Sequence, residues 1–126
     1  VVGEVRAELA DALARAVSAG IDESQVVLDP GIGFGKTREQ NLALIARLDE
    51  LSALGRPLLL GASRKSFISK GLPSERLGGS LAAVAWAARS AAIVRVHDVA
   101  ETVQLLDVWE ALEASAQPTL KEVLPA

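Results

Sequence analysis

Three short apolar runs, "QVVL", "PLLLGAS" and "AIVRV", recur at intervals of about 30 residues, with helix-patterned chain between them; this is the pace of a βαβ unit. Such crossovers require parallel strands. Val5, Leu9, Leu13 and Val17 fall at four-residue spacing ahead of Gly20, a helix stripe with its C-cap. Thr37 and Gln40 form a capping box for a helix over "REQNLALIARLDELSAL", with Leu44, Ile45, Leu48 and Leu51 inward and Gly55 as its stop. The basic stretch "RKSFISKGLPSERLGG" leads into an Ala-rich helix, "SLAAVAWAARSA". Asp98 and Glu101 read as a second capping box, opening "VAETVQLLDVWEALEASA". The tail, "QPTLKEVLPA", lacks a helical or strand pattern and is expected to be loosely held. Three strands alone would leave two sheet edges bare. The expected class is therefore α/β, with three parallel strands alternating with helices as a segment of something larger.

Composition narrows the function classes. Half the residues are apolar and only 3% are aromatic, which suits Ala/Leu/Val helices packed on parallel strands. A net charge of −3, with no aromatic platform, argues against a nucleic-acid surface. The chain has no cysteine, hence no disulfide framework and no thiolate metal site. Its apolar runs fall short of the ~20 residues that cross a bilayer, and no signal peptide opens it, so a cytoplasmic setting is expected. It also has no methionine and begins inside a helical pattern, from which a longer parent protein is expected.

In parallel α/β architectures, functional loops follow the C-terminal ends of the strands. Asp29 follows the first run, Ser63, Arg64 and Lys65 the second, and Arg95, His97 and Asp98 the third. Polar chemistry is thereby expected on one rim. The first of these loops, "LDPGIGFGKT", has the letters of a phosphate loop but not the spacing. A P-loop would need glycine at Pro30, and a dinucleotide fingerprint would need glycine at Lys36.

Each rim residue has two readings. Asp29 either accepts paired hydrogen bonds from a heterocycle or initiates the "DPG" turn. Phe34, taken alone, reads as a core aromatic, and Lys36 as a solvated loop charge. Ser66 falls at an expected helix start, where it is either an N-cap or, with the free N–H groups and Lys65, a seat for a carboxylate or phosphate. Arg64, Lys65 and Lys70 favour an anionic ligand over a merely solvated loop. Strand alternation puts Arg95 and His97 on one face as a clamp for phosphate oxygens; the rival is a paired Arg and a backbone-satisfied His. No serine sits in a nucleophile elbow, and no His/carboxylate cluster has metal-ligand character.

Together, "DPGIGFGK", "GASRKSFI" with "SERLGGSLA", and "RVHDVAET" resemble, in order and spacing, the dihydropteroate synthase family over about residues 26–112. The resemblance implies that residues 1–126 form the C-terminal portion of a single pterin-binding (β/α)₈ TIM barrel. It implies condensation of a (7,8-dihydropterin-6-yl)methyl diphosphate with 4-aminobenzoate to give 7,8-dihydropteroate and diphosphate. Asp29 then matches the carboxylate on the pterin's amino-pyrimidine edge, and Lys65 the lysine reaching the pterin. Ser66 would take the aminobenzoate carboxylate, with Gly33 and Phe34 shaping that pocket, and Gly61 and Ser63 correspond to pocket positions after the penultimate strand. Arg95 and His97 match the pair holding the diphosphate, so Lys65, Arg95 and His97 are the implied catalytic residues. The family further implies Mg²⁺ with its protein contact outside this chain, and a homodimer through the apolar surface of Trp86, Val103, Leu105, Leu106, Trp109 and Leu112.

The family's early loops, of the "NxTPDSFSD" and "GGESTRPG" kinds, are absent, so the 126 residues alone are expected to lack synthase activity. A methyltetrahydrofolate-binding methyltransferase domain is the alternative enzyme; it should lack the "SRKS" and "RVHD" pair. A non-catalytic pterin-binding fragment is the other.

Overall fold

A computed structural model describes residues 1–118. Five α-helices and two strands follow one another as α1 (Val2–Ser18), α2 (Arg38–Ala46), α3 (Asp49–Ser52), β1 (Leu59–Leu60), α4 (Leu77–Ala87), β2 (Ile93–Val94) and α5 (Val99–Ala116) among the described residues. Strands β1 and β2 pair in parallel, with Leu59 opposite Ile93 and Leu60 opposite Val94. A parallel bridge joins Leu28 to Leu58 on the other side. The chain is thus α/β, and the three apolar runs lie side by side with Leu58–Leu60 in the middle.

The first run is less of a strand than expected. Leu28 N–H donates to the Pro57 carbonyl at 2.9 Å and its carbonyl accepts from Leu59 N–H at 2.8 Å, but the ladder stops there. One reason is local. The Arg56 guanidinium occupies the Val26 carbonyl at 3.0 Å and the Ser24 carbonyl at 3.1 Å, so a side chain takes acceptors a ladder would use. Pro57, having no N–H, also cannot extend the pairing.

The helix expected over residues 38–54 is two helices. Its capping box forms as read: Gln40 N–H donates to Thr37 Oγ1 and Thr37 N–H to Gln40 Oε1. At Arg47 the backbone leaves helical geometry, and Trp86 Nε1 donates to the Ala46 carbonyl at 3.3 Å, satisfying one freed acceptor from outside the helix. Leu44, Ile45, Leu48 and Leu51 are buried across the break, so the apolar pattern holds where helical continuity does not.

The α1 stripe is also partial. Val2 and Val5 are buried, Leu9 and Leu13 half-buried, and Val17 exposed. Four-residue steps drift about 40° each around a helix of 3.6 residues per turn, so the far end of the stripe turns away from the core. That core joins Val2 and Val5 to Leu28, Ile32, Leu44, Leu48, Leu51, Leu58, Leu60 and Phe67. No described helix is long and apolar enough to cross a membrane. The expectation of a loosely held tail falls largely on residues 119–126, outside the described residues.

Candidate functional site

Because the three runs are parallel and in register, their C-terminal ends open on one side. Asp29, Phe34, Gly61, Ser63, Lys65, Arg95 and His97, together with Val96, line one cavity of about 440 Å³ there. The expected convergence of three loops is therefore present in the folded chain. A second hollow of about 400 Å³ lies on the outer face between α2 and α4, walled by Leu42, Ile45, Phe67, Ala82 and Trp86. Its walls are apolar except for Arg38, whose guanidinium is engaged by the Phe67 carbonyl at 2.9 Å; ligand sites combine an apolar lining with several converging polar groups, so the strand-end cavity is the candidate.

The glycine loop closes on itself. Asp29 Oδ1 accepts from Gly31 N–H at 2.8 Å, forming the expected turn, yet the side chain stays exposed on the cavity wall with a second oxygen available. The turn reading of Asp29 therefore holds, and the turn leaves one carboxylate oxygen free. Lys36 is not a solvated charge: its ammonium donates to the carbonyls of Gly31 at 2.7 Å and Phe34 at 3.0 Å, stapling the loop from within. Gly33, at φ +85°, occupies left-handed backbone that other residues adopt at a cost. Its N–H donates to the side-chain oxygen of buried Asn41 at 2.8 Å.

Phe34 is not a core aromatic. It is 72% exposed, and the Lys65 ammonium sits 4.7 Å from its ring centroid. Lys65 crosses from the second loop to the first, its stem over Gly33 and its ammonium donating to the Ile32 carbonyl. Burial pulls the Lys65 pKa below the ordinary lysine value; nearby Asp29 opposes this, while Arg95 and Lys36 add to it. An ammonium has three donors, so two remain for a ligand.

Arg64 departs from expectation. Rather than serving an anionic ligand, its guanidinium grips Asp98 through two hydrogen bonds of 2.8 and 3.2 Å. That engagement also explains why Asp98 makes no side-chain cap on α5, although it stands at the N-cap position. Arg64 has φ +57°, the one positive value outside glycine among the described residues. This kink interrupts helical continuation, and no helix begins at Ser66; turns follow, and the next α-helix starts at Leu77. Ser66 is exposed and stands outside the cavity wall, so the expected helix N-terminus at that serine is not built.

Beyond the third strand, which ends at Val94, Arg95 and His97 both line the cavity as expected, but Val96 between them lines it too, so strand alternation does not extend through these residues. His97 Nδ1 lies 2.9 Å from Ser63 Oγ, and its backbone N–H donates to the same oxygen at 3.1 Å. The sequence reading passed over Asn41 and the Arg64–Asp98 tie. Asn41 left a faint signal, a polar residue three positions ahead of Leu44 on the inward side of a helix. Among the described residues no group of three or more His, Cys, Asp or Glu side chains is placed to hold a metal.

Comparisons with known proteins show what the chain is similar to. A family model described as pterin binding enzyme matches residues 1–97. The dihydropteroate synthase of Escherichia coli K12 is 50% identical over 115 residues, an alignment covering 88% of this chain and 41% of that one. The structure of Xanthomonas albilineans dihydropteroate synthase with 7,8-dihydropteroate superposes with a TM-score of 0.88 at 45% identity, covering 93% of this chain and 46% of that one. The Thermus thermophilus enzyme with 4-aminobenzoate gives a TM-score of 0.83 at 50% identity, over 89% of this chain and 47% of that one. The chain thus spans less than half the length of each.

Proposed function

This chain belongs to the pterin-binding enzyme family, and on that premise we propose that it is the C-terminal portion of a dihydropteroate synthase, residues 1–126 being part of a single (β/α)₈ barrel. The reaction joins a dihydropterin-methyl diphosphate to 4-aminobenzoate. The arylamine nitrogen attacks the pterin methylene carbon, a C–N bond forms as the C–O bond to diphosphate breaks, and the amine loses a proton. One observation carries the reading: an acid, a lysine and an Arg/His pair from three strand ends share one cavity. Relatives bound to 7,8-dihydropteroate and to 4-aminobenzoate support the two substrate classes.

The roles follow from charge. The free oxygen of Asp29 accepts from the amino and ring N–H groups of the pterin, and Lys65 donates to its polar atoms. Arg95 and His97 meet the diphosphate, where negative charge grows as the C–O bond breaks; preorganised donors at such a point are commonly worth about 10²–10³ in rate. Exposed Phe34 and Gly33 supply an apolar wall for the arylamine. Ser66, exposed and next to Lys65, is the residue proposed to take the aminobenzoate carboxylate. The Mg²⁺ that the family implies would accompany the diphosphate, held by groups outside these residues, and would add positive charge where the leaving group departs.

The exposed apolar side chains Trp86, Val103 and Leu112, at 52%, 50% and 62%, support a homodimer through α4 and α5. The test is product formation by the full-length protein carrying this chain. Release of diphosphate with formation of 7,8-dihydropteroate is the expected result; no product from the two substrates would overturn the reading.

A further inference from the structure

One oxygen serves two hydrogen-bonding groups of one histidine. The backbone N–H of His97 donates to Ser63 Oγ, and the ring Nδ1 of the same residue approaches that oxygen from 2.9 Å. Ser63 is 7% exposed, and among the described residues its hydroxyl meets no other polar partner.

A serine hydroxyl brings one proton and two lone pairs. The backbone N–H takes one lone pair without ambiguity. If Nδ1 carried a proton it would take the second, and the hydroxyl proton would be left without an acceptor in a nearly buried place, an arrangement proteins avoid. If Nδ1 is bare, the hydroxyl proton lies between the two atoms and every group is satisfied. We infer that Ser63 is a positioning residue that holds neutral His97 in its Nε2–H tautomer, so that the ring presents a hydrogen-bond donor to the cavity even when uncharged.

The inference rests on the proposed contact between His97 and the diphosphate. Phosphate oxygens are acceptors, and a bare Nε2 would face them with a lone pair. With Nδ1 occupied by Ser63, Nε2 is the ring nitrogen left for a ligand. Ser63 thus acts through His97, fixing both the ring's rotation and which nitrogen bears the proton. The charged groups about this ring are Asp29, Lys65 and Arg95 on the cavity wall and Asp98, which is itself paired with Arg64.

The test is ¹⁵N NMR of the full-length, ligand-free protein labelled at histidine, at a pH near 9 where imidazoles are neutral, with His97 assigned by the loss of its signals in His97→Gln. The expected spectrum has Nε2 protonated and Nδ1 bare. Ser63→Ala should move both signals toward a tautomer mixture, and Ser63→Thr should restore them. In turnover, Ser63→Ala should raise the KM for the pterin diphosphate about 10-fold at pH 9. A wild-type His97 protonated at Nδ1, or a tautomer unchanged in Ser63→Ala, would overturn the inference; the wild-type spectrum decides even if Ser63→Ala does not fold. Failure of the proposed function would look different: a wild-type protein with the expected tautomer that forms no product.

Discussion

The guanidinium of Arg64 holds both carboxylate oxygens of Asp98, at 2.8 and 3.2 Å, and so ties the loop after β1 to the first residue before α5. The tie is reinforced at the backbone. Arg64 N–H donates to the buried Ser80 hydroxyl at 2.9 Å, and its carbonyl accepts from Arg76 at 2.7 Å. A left-handed residue is costly without such support. The kink turns Arg64 away from the cavity while its neighbours Ser63 and Lys65 line it.

Arg64→Ala should therefore impair the site without touching a ligand. Misplacement by about 1 Å can cost up to about 10²-fold, so kcat/KM should fall about 10- to 100-fold, with Arg64→Lys intermediate. Steady-state kinetics of both variants check this. Arg64 also holds the Asp98 carboxyl below the usual carboxylate range. The sign follows: the tie's contribution is present above about pH 4 and is lost as pH falls through the lower folded value. Urea midpoints at pH 7 and pH 3 should converge between wild type and Asp98→Asn at the acid end.

Lys65 titrates early. Burial lowers its pKa, so the ammonium should be lost below the ordinary lysine value of about 10.4. Between those two values the unfolded chain binds more protons than the folded one, so the native state gains stability as pH rises through that window. For activity the effect is opposite, because the donor disappears. The kcat/KM profile should show an alkaline limb below the ordinary lysine value that Lys65→Arg removes.

Asn41 should matter to the site from outside it. Its buried side chain accepts from Gly33 N–H, and Asn41→Leu would leave that donor unpaired at a cost of about 1–3 kcal/mol. Asn41→Asp, which keeps the acceptor, should lose less. Urea denaturation reads the stability, and a raised KM for 4-aminobenzoate in the leucine variant would report the loosened loop.

Gly79 lies within α4, where alanine normally stabilises a helix by about 1 kcal/mol. A Cβ there would collide with Ile68 Cγ2, so overpacking should win and Gly79→Ala should lose about 1–3 kcal/mol. Adding Ile68→Ala removes the obstructing carbon. A double-mutant cycle by thermal melting should give a coupling that relieves most of the loss.

The rim was legible because strand period and parallel topology need only apolar runs and spacing, and both survive in Leu28, Leu58–Leu60 and Ile93–Val94. The same patterning placed Leu44, Leu48 and Leu51 inward across a helix break it could not foresee. At that break the Ala46 carbonyl accepts from Trp86, 40 positions away in the chain. What sequence missed shares this trait. Asp98 looked like a cap until Arg64 claimed it, and Lys36 looked solvated until the loop curled around it. Ser66 looked like a helix start because nothing local announces a left-handed arginine two residues earlier. Charged side chains choose partners across the fold, and local pattern does not record the choice.

The most direct measurement is a crystal structure of the full-length protein with the pterin diphosphate bound. The account predicts one ligand spanning three loops, with Asp29 and Lys65 on the pterin and Arg95 and His97 on the diphosphate. A ligand seated elsewhere, or one that leaves any of the three strand ends untouched, would contradict it.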